Sequence, residues 1–241
     1  MRLLVLRPEP QASALVATLA AHGIDALADP MLDIIPEPDL VRAIAAHPRP
    51  DALAFTSANA LRALPGGALP AAWLAIPAFC VGEATARAAR AAGFADVRAS
   101  AGTAADLALS LRASGLGHVL HLVGRDQTGD LAAGLCEAGL SAQSLIVYRA
   151  EMRDDLAPAT WAGLQMRTFA GLIVASQRSA QGFFKILQSK DRLDLLNDLV
   201  LIAISEAAAA PLTDRCHRTV IATEPNGDAL LRAAVALGSD S

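Results

Sequence analysis

The sequence predicts an α/β fold: two doubly wound, flavodoxin-like domains with parallel sheets, joined by a two-stranded crossing, one domain being discontinuous in sequence. Three observations predict it. Short apolar runs bounded by turn residues alternate with helical stretches along the whole chain, as in a parallel sheet covered on both faces. One strand-to-helix corner is written twice, as DALAFTSANALR from Asp51 to Arg62 and as GLIVASQRSAQG from Gly171 to Gly182, with Ser57 aligned on Ser176. Two crossing segments, the proline-rich 30–38, which cannot be a helix, and the charged 149–157, fall at equivalent places in this repeat.

The repeat permits two geometries. Each half of the chain, roughly 1–117 and 118–241, is a domain, or the chain enters one domain, crosses, completes the other and returns. The composition of the crossings favours the second. Domain one then comprises 1–34 and 155–241, domain two 38–150, with linkers at 35–37 and 151–154.

Each element follows from local pattern. Leu3 to Leu6 is a strand ended by Arg7-Pro8, and Gln11 to Ala21 a helix stopped by Gly23. Ile24 to Ala28 is a strand, Pro30 to Pro38 an extended crossing, and Val41 to Ala46 a short helix. Ala52 to Phe55 is a strand apolar at every position, and Ala58 to Leu64 its helix. Strands at Ala78–Val81 and Val97–Ala99 alternate with helices at Glu83–Ala92 and Ala104–Ala113, with a turn at 101–103 between the second pair. Val119–Val123 is a strand, 124–128 a loop, Gly129–Ala138 a helix and Ser144–Tyr148 a strand. After the second crossing come a helix at Ala159–Arg167, the second corner, a strand at Leu199–Ile204, a helix at Glu206–Arg215, a strand at Val220–Ala222 and a last helix at Asp228–Leu237.

Composition excludes several function classes. No apolar run reaches the ~18 residues of a membrane span, and the N-terminal apolar run is too short for a signal sequence, so a cytoplasmic protein without a membrane partner is expected. The net charge of −4, without a long basic run, speaks against nucleic acid. Cys80, Cys136 and Cys216 lack CxxC spacing and read as thiols of a reducing compartment. The five histidines are scattered, so no metal site is expected. No GxGxxG or GxxxxGK[ST] follows a strand, which disfavours a nucleotide or flavin. No long apolar edge asks for a second copy, so a monomer is expected.

The candidate binding residues gather after strands, where doubly wound sheets hold ligands. Thr56, Ser57 and Ser176 stand at the repeated corners, where a hydroxyl either caps a helix or meets a ligand. Thr85 follows Gly82 at a helix start, with backbone N–H groups pointing outward. Thr103 stands at a similar turn. Arg7, Arg125 and Arg178 follow strand ends, and a guanidinium there either sits solvated or pairs with a carboxylate through two parallel N–H bonds.

Seven segments together resemble the uroporphyrinogen-III synthase family: LRP at 6–8, AFTSANA at 54–60, VGEATA at 81–86, AGTAADL at 101–107, VYRA at 147–150, VASQRS at 174–179 and ATEPNGDAL at 222–230. Each is short; their order and spacing over nearly the whole chain carry the likeness. The resemblance implies two doubly wound domains on a two-stranded ladder and no cofactor. It implies closure of hydroxymethylbilane, a linear tetrapyrrole with eight carboxylate side chains, to uroporphyrinogen III, with inversion of the last ring through a spiro intermediate and loss of water. It also implies a role for Tyr148, the sole tyrosine, in helping the hydroxyl leave, since a phenol keeps its proton at neutral pH and can donate it. The chain departs from the family in two places. ISEAAAAP puts Ser205 and Ala208 where the family usually has glycine and threonine, and the 124–130 loop lacks an arginine near 128–129, for which Arg125 is the substitute. The rival reading is a non-catalytic two-lobed sensor or binding module that keeps the fold.

Overall fold

The computed structural model describes residues 1–100, 103–126 and 129–239. The turn expected at 101–102 and residues 127–128 of the expected loop lie outside the described residues. Chain contacts group into two units, Met1–Asp33 with Glu151–Ser241, and Ile34–Ala150. In chain order the elements are β1 (Arg2–Val5), α1 (Gln11–Ala21), β2 (Asp25–Ala28), β3 (Leu32–Pro36), α2 (Leu40–Ala46), β4 (Ala52–Phe55), α3 (Ala58–Arg62), β5 (Ala78–Val81), α4 (Gly82–Ala91) and β6 (Val97–Ser100). There follow α5 (Ala104–Ala113), β7 (His118–Gly124), α6 (Leu131–Glu137), β8 (Ser141–Met152), α7 (Pro158–Gln165), β9 (Gly171–Val174), α8 (Gln177–Ser189), β10 (Val200–Ala203), α9 (Glu206–Ala209), β11 (Arg218–Ile221) and α10 (Gly227–Ser239).

The first sheet has the order β11-β10-β9-β1-β2, with parallel neighbours throughout. Numbered by appearance, this is the 2-1-3-4-5 order of doubly wound flavodoxin-like sheets. The second sheet has the order β3-β8-β7-β4-β5-β6. With β7 in the place of β1 and β4 in the place of β9, it repeats the first order, entered at a different strand. The strands on which the chain passes between units, β3 and β8, are hydrogen-bonded neighbours.

Alternation along the strands builds a core on each face. In the second unit Leu53, Phe55, Leu120 and Leu122 pack with residues of α2, α3 and α4. On the opposite face Ala52, Ala54 and Val119 pack with Leu107 and Leu111 of α5 and Leu135 of α6. The first unit divides likewise, Leu4, Leu172 and Leu201 with α7, α8 and α9, and Leu3, Val5, Ile173 and Ile202 with α1 and α10. Each fully buried Leu or Ile side chain contributes roughly 1.5–3 kcal/mol, so these paired layers dominate the stability of each unit.

Two elements differ most from expectation. The helix expected over Glu206–Arg215 stops at Ala209, and a separate 3₁₀ turn covers Thr213–Arg215. Pro211 brings no N–H and its ring clashes with the carbonyl four residues back, so the α-helix cannot continue through it. The strand expected over Ser144–Tyr148 instead runs from Ser141 to Met152. Its charged C-terminal part lies against β3 at the sheet edge, where polar side chains reach water.

The outgoing and returning segments of the first unit are laced by a buried carboxylate. Asp29 is 1% exposed. Its Oδ1 accepts from Arg153 Nη1 at 2.7 Å and its Oδ2 from the Ala157 N–H at 2.9 Å. Arg153 also donates to the Pro30 carbonyl at 3.2 Å, and its backbone N–H to that of Met31 at 3.0 Å. Asp29→Ala removes the acceptor of a partly desolvated cation and of an amide at once. Loss of one partner of a fully buried pair costs about 3–5 kcal/mol. Arg153 keeps 31% of its side chain in solvent, so about 2 kcal/mol is expected here. Urea unfolding at pH 7 measures it, and a loss under about 0.5 kcal/mol would mean the clamp adds nothing to stability.

Candidate active site

In the second unit the strand ends deliver polar groups to one edge of the sheet. β4 runs out into Thr56 and Ser57, whose backbone is extended and whose hydroxyl accepts from the Asn59 N–H at 3.2 Å to start α3. β5 ends at Gly82, with φ of +70°, a conformation natural to glycine that turns the strand directly into α4. Thr85, on the first turn of α4, is only 5% exposed. Thr103 caps α5 in a reciprocal box: its hydroxyl donates to Asp106 Oδ2 at 2.6 Å and accepts from the Asp106 N–H at 3.1 Å. Arg125, just past β7, pairs with Glu37 at 2.8 Å.

Beyond the ends of β4 and β7, between α5 and α6, lies a cavity of about 680 Å³. Thr56, Ser57, His121, Asp126, Asp130 and Tyr148 are its polar lining. Ala108 and Leu109 of α5 and Leu131 of α6 supply apolar wall, and Arg112 adds a positive charge. A register shift between Val123 and Gly124 pairs Val123 with Ile146 but Gly124 with Tyr148, carrying the tyrosine onto the cavity side. Its phenol lies on Gly124: a Cβ at that glycine would sit 2.5 Å from Cζ and 2.8 Å from Oη. The Arg125 N–H donates to the Tyr148 carbonyl at 2.8 Å. Backbone and ring are thereby both held against the strand.

His121 is 1% exposed at the base of this cavity. Its Nε2 lies 3.1 Å from Thr56 Oγ1 and its Nδ1 3.3 Å from Ser144 Oγ. Burial pushes the imidazole down from 6.5 to about 4, against the opposing pull of the Asp130 carboxylate. It is therefore neutral at physiological pH. Burial likewise pushes the Cys80 and Cys216 thiols up to about 12, which makes them inert as nucleophiles. Among the described residues no group of three His, Cys, Asp or Glu side chains could hold a metal ion, and no helix is long and apolar enough to cross a membrane.

The sequence profile of the uroporphyrinogen-III synthase family, HEM4 or HemD, matches residues 13–232. The chain belongs to the uroporphyrinogen-III synthase family. Membership makes it an enzyme of haem biosynthesis. Solved structures agree in fold. The uroporphyrinogen-III synthetase of Helicobacter pylori superposes with a TM-score of 0.63 at 20% identity, over 98% of this chain and 100% of that one. A mutant uroporphyrinogen III synthase from Thermus thermophilus gives 0.55 at 19% identity, over 100% and 97%. No curated protein sequence matches significantly.

The first unit of this synthase-family chain carries the remaining candidates, again after its strands. Ser176 caps α8, accepting from the Ser179 N–H at 3.1 Å and donating to the buried Ser179 hydroxyl at 2.9 Å. Arg178 is half-buried on the first turn of α8. Ser205 caps α9, accepting from the Ala208 N–H at 3.3 Å. Its φ of −162° is extended backbone, so this copy of the turn does not need the glycine that Gly82 provides in the other. Arg7 follows β1 and reaches the start of α10, its Nη1 3.9 Å from the Cβ position of Gly227. The structure thus brings Thr56, Ser57 and Tyr148 into one cavity. It places Gly82, Thr85, Thr103 and Arg125 on other turns of the same unit, and Arg7, Ser176, Arg178 and Ser205 in the first unit.

Sequence reasoning missed His121, together with Arg112, Asp126 and Asp130. His121 reads as one polar residue in the apolar strand VLHLV. A signal existed in the repeat, because the first unit has the matching strand LLVL without a histidine.

Proposed function

We propose that this chain cyclises hydroxymethylbilane to uroporphyrinogen III, inverting the last ring and releasing water, as a cofactor-independent lyase. The observation that carries the proposal is the Tyr148 phenol, fixed on Gly124 in a cavity that also holds the Thr56 and Ser57 hydroxyls, in a chain of this family.

The chemistry asks little of the protein beyond orientation and one proton. The phenol donates its proton to the terminal hydroxyl, the C–O bond breaks, and water leaves. The pyrrole nitrogen lone pair stabilises the resulting cation. The cation adds to the substituted carbon of the last ring to give the spiro intermediate. Fragmentation and rejoining at the other carbon invert that ring, and the proton lost as the ring regains aromaticity restores the phenol. Substrate and product differ by one water and share an oxidation level, so no redox partner is needed. Holding the two ends in reach is worth up to ~7–11 kcal/mol, and the placed acid a further ~10²–10⁴-fold in rate.

Eight carboxylates need donors. Thr56, Ser57, Thr85 and Ser205 supply hydroxyls, Thr103 and Ser176 theirs when the hydrogen turns from Asp106 and the Ser179 hydroxyl to the ligand, Gly82 an open backbone approach, and Arg7, Arg125 and Arg178 guanidinium groups for two-point pairing. The Ser57 and Ser205 hydroxyls accept from their own helices, an arrangement that leaves the hydroxyl hydrogen for a ligand oxygen. We place the enzyme in the cytoplasm as a monomer, in keeping with its unpaired cysteines.

A coupled assay that generates hydroxymethylbilane in the presence of the purified, chelator-treated protein tests the proposal. The type III isomer is expected in excess over the type I isomer that forms spontaneously. A product mixture equal to the protein-free control would sink it, in favour of a non-catalytic binding module. Activity lost to the chelator and restored by a metal ion would overturn cofactor independence alone.

A further inference from the structure

The two units offer an internal control on what the fold itself requires. Leu3 pairs with Gly171 in the first sheet as Val119 pairs with Ala52 in the second. With the repeated corners superposed, Val5 of β1 corresponds to His121 of β7, and Ala175 to Thr56. Val5 pairs with Ala28 of β2, whereas His121 pairs with Ser144 of β8. At one site in the architecture, therefore, the first unit has Ala175, Val5 and Ala28, all apolar, and the second has Thr56, His121 and Ser144. The fold is served by the apolar set. Of the polar set His121 is buried, Thr56 half-buried and Ser144 exposed; the buried histidine needs another reason, because burying an imidazole is unfavourable unless its nitrogens find partners.

Both nitrogens do find partners, and the chain of contacts has a direction. It begins at Ser144, passes through His121, and ends at Thr56, whose side chain lines the cavity. We propose that His121 and Ser144 are positioning residues that orient the Thr56 hydroxyl to donate its hydrogen to a carboxylate of the tetrapyrrole substrate. The Ser144 hydroxyl donates to His121 Nδ1, His121 Nε2–H donates to Thr56 Oγ1, and the Thr56 hydrogen is directed into the cavity. A threonine hydroxyl has one hydrogen. Once its oxygen accepts from the imidazole, that hydrogen has no use within the relay and serves the ligand. This arrangement uses the neutral imidazole, the form that burial enforces. Donors aligned in series also polarise one another, which strengthens the last bond. The inference rests on the tetrapyrrole reading of the site.

Steady-state kinetics with hydroxymethylbilane on the full chain test it. Thr56→Val and His121→Phe are each expected to raise KM about tenfold, the worth of one hydrogen bond to a charged group, with kcat within about twofold, as for a group that binds ground and transition states alike. The double variant is expected to be no worse than the weaker-binding single, because one interaction cannot be lost twice. His121→Gln, which keeps a donor directed at Thr56, should recover most of the KM. Ser144→Ala, on the edge-facing side of the relay, should raise KM about threefold; should His121→Phe fail to fold by circular dichroism, Ser144→Ala and His121→Gln decide the matter. A folded His121→Phe with wild-type KM, or a double variant whose loss is the product of the two singles, overturns the relay while leaving the enzyme reading intact. Failure of the wild-type chain to form type III product overturns the enzyme reading, and the relay's ligand with it.

Discussion

Tyr148→Phe is expected to slow formation of the type III isomer by about 10²-fold or more, within the ~10²–10⁴ range for a placed proton donor, while the unfolding midpoint stays at the wild-type value. The variant removes one oxygen and keeps the ring. The contact that fixes the side chain is between that ring and Gly124, and the Arg125 N–H to Tyr148 carbonyl bond is made by backbone. Packing therefore survives the change. The loss is expected in kcat with little change in KM, because the proton is passed only as the C–O bond breaks. The spontaneous route to type I does not use the protein, so the isomer ratio shifts toward type I in the same measurement. An unchanged rate with a wild-type isomer ratio would remove Tyr148 from the chemistry and leave it a packed strand-end aromatic.

How far this site was legible follows from what each residue does locally. The corners were readable because a serine after an all-apolar strand and before a helix has one local use: Ser57 and Ser176 cap α3 and α8 as that pattern requires. The β4, β5 and α5 boundaries were readable for the same reason, since apolar runs and capping residues mark both ends. The placement of Tyr148 over Gly124 was not readable. It depends on a one-residue register shift between β7 and β8, and register is a property of two strands that neither sequence states alone. The true length of β8 was hidden because its charged end looks like loop until β3 is seen beside it. The end of α9 was open to reading, because Pro211 sits in plain view; the run of alanines outweighed it. His121 was hidden by its neighbours: four apolar residues around one histidine give a strand pattern, and only comparison with β1 reveals a polar substitution in a repeated frame.

The same histidine makes the protein sensitive to acid. Stability is expected to fall as pH drops from about 6.5 to about 4, the ordinary imidazole value and the depressed value of buried His121. The sign follows from proton counting. Between those limits the unfolded chain binds a proton at His121 and the folded chain does not, so each added proton favours unfolding. Above about pH 6.5 the imidazole is neutral in both states and contributes no pH dependence. Below about pH 4 both states are protonated and the loss is complete. The slope is about 1.4 kcal/mol per pH unit within the window, for a total of about 3 kcal/mol. Against a typical total of about 5–15 kcal/mol, that loss is large. Asp130 lies on the favourable side of this balance, since its charge opposes the effect of burial. Urea unfolding at intervals from pH 7 to pH 4 measures the slope, and His121→Phe isolates it, because every other titrating group is common to both proteins. The variant is expected to lose most of the slope whatever its stability at pH 7. Parallel curves for the two proteins would show that the imidazole takes up its proton equally well folded and unfolded, contrary to a neutral ring held between Ser144 and Thr56.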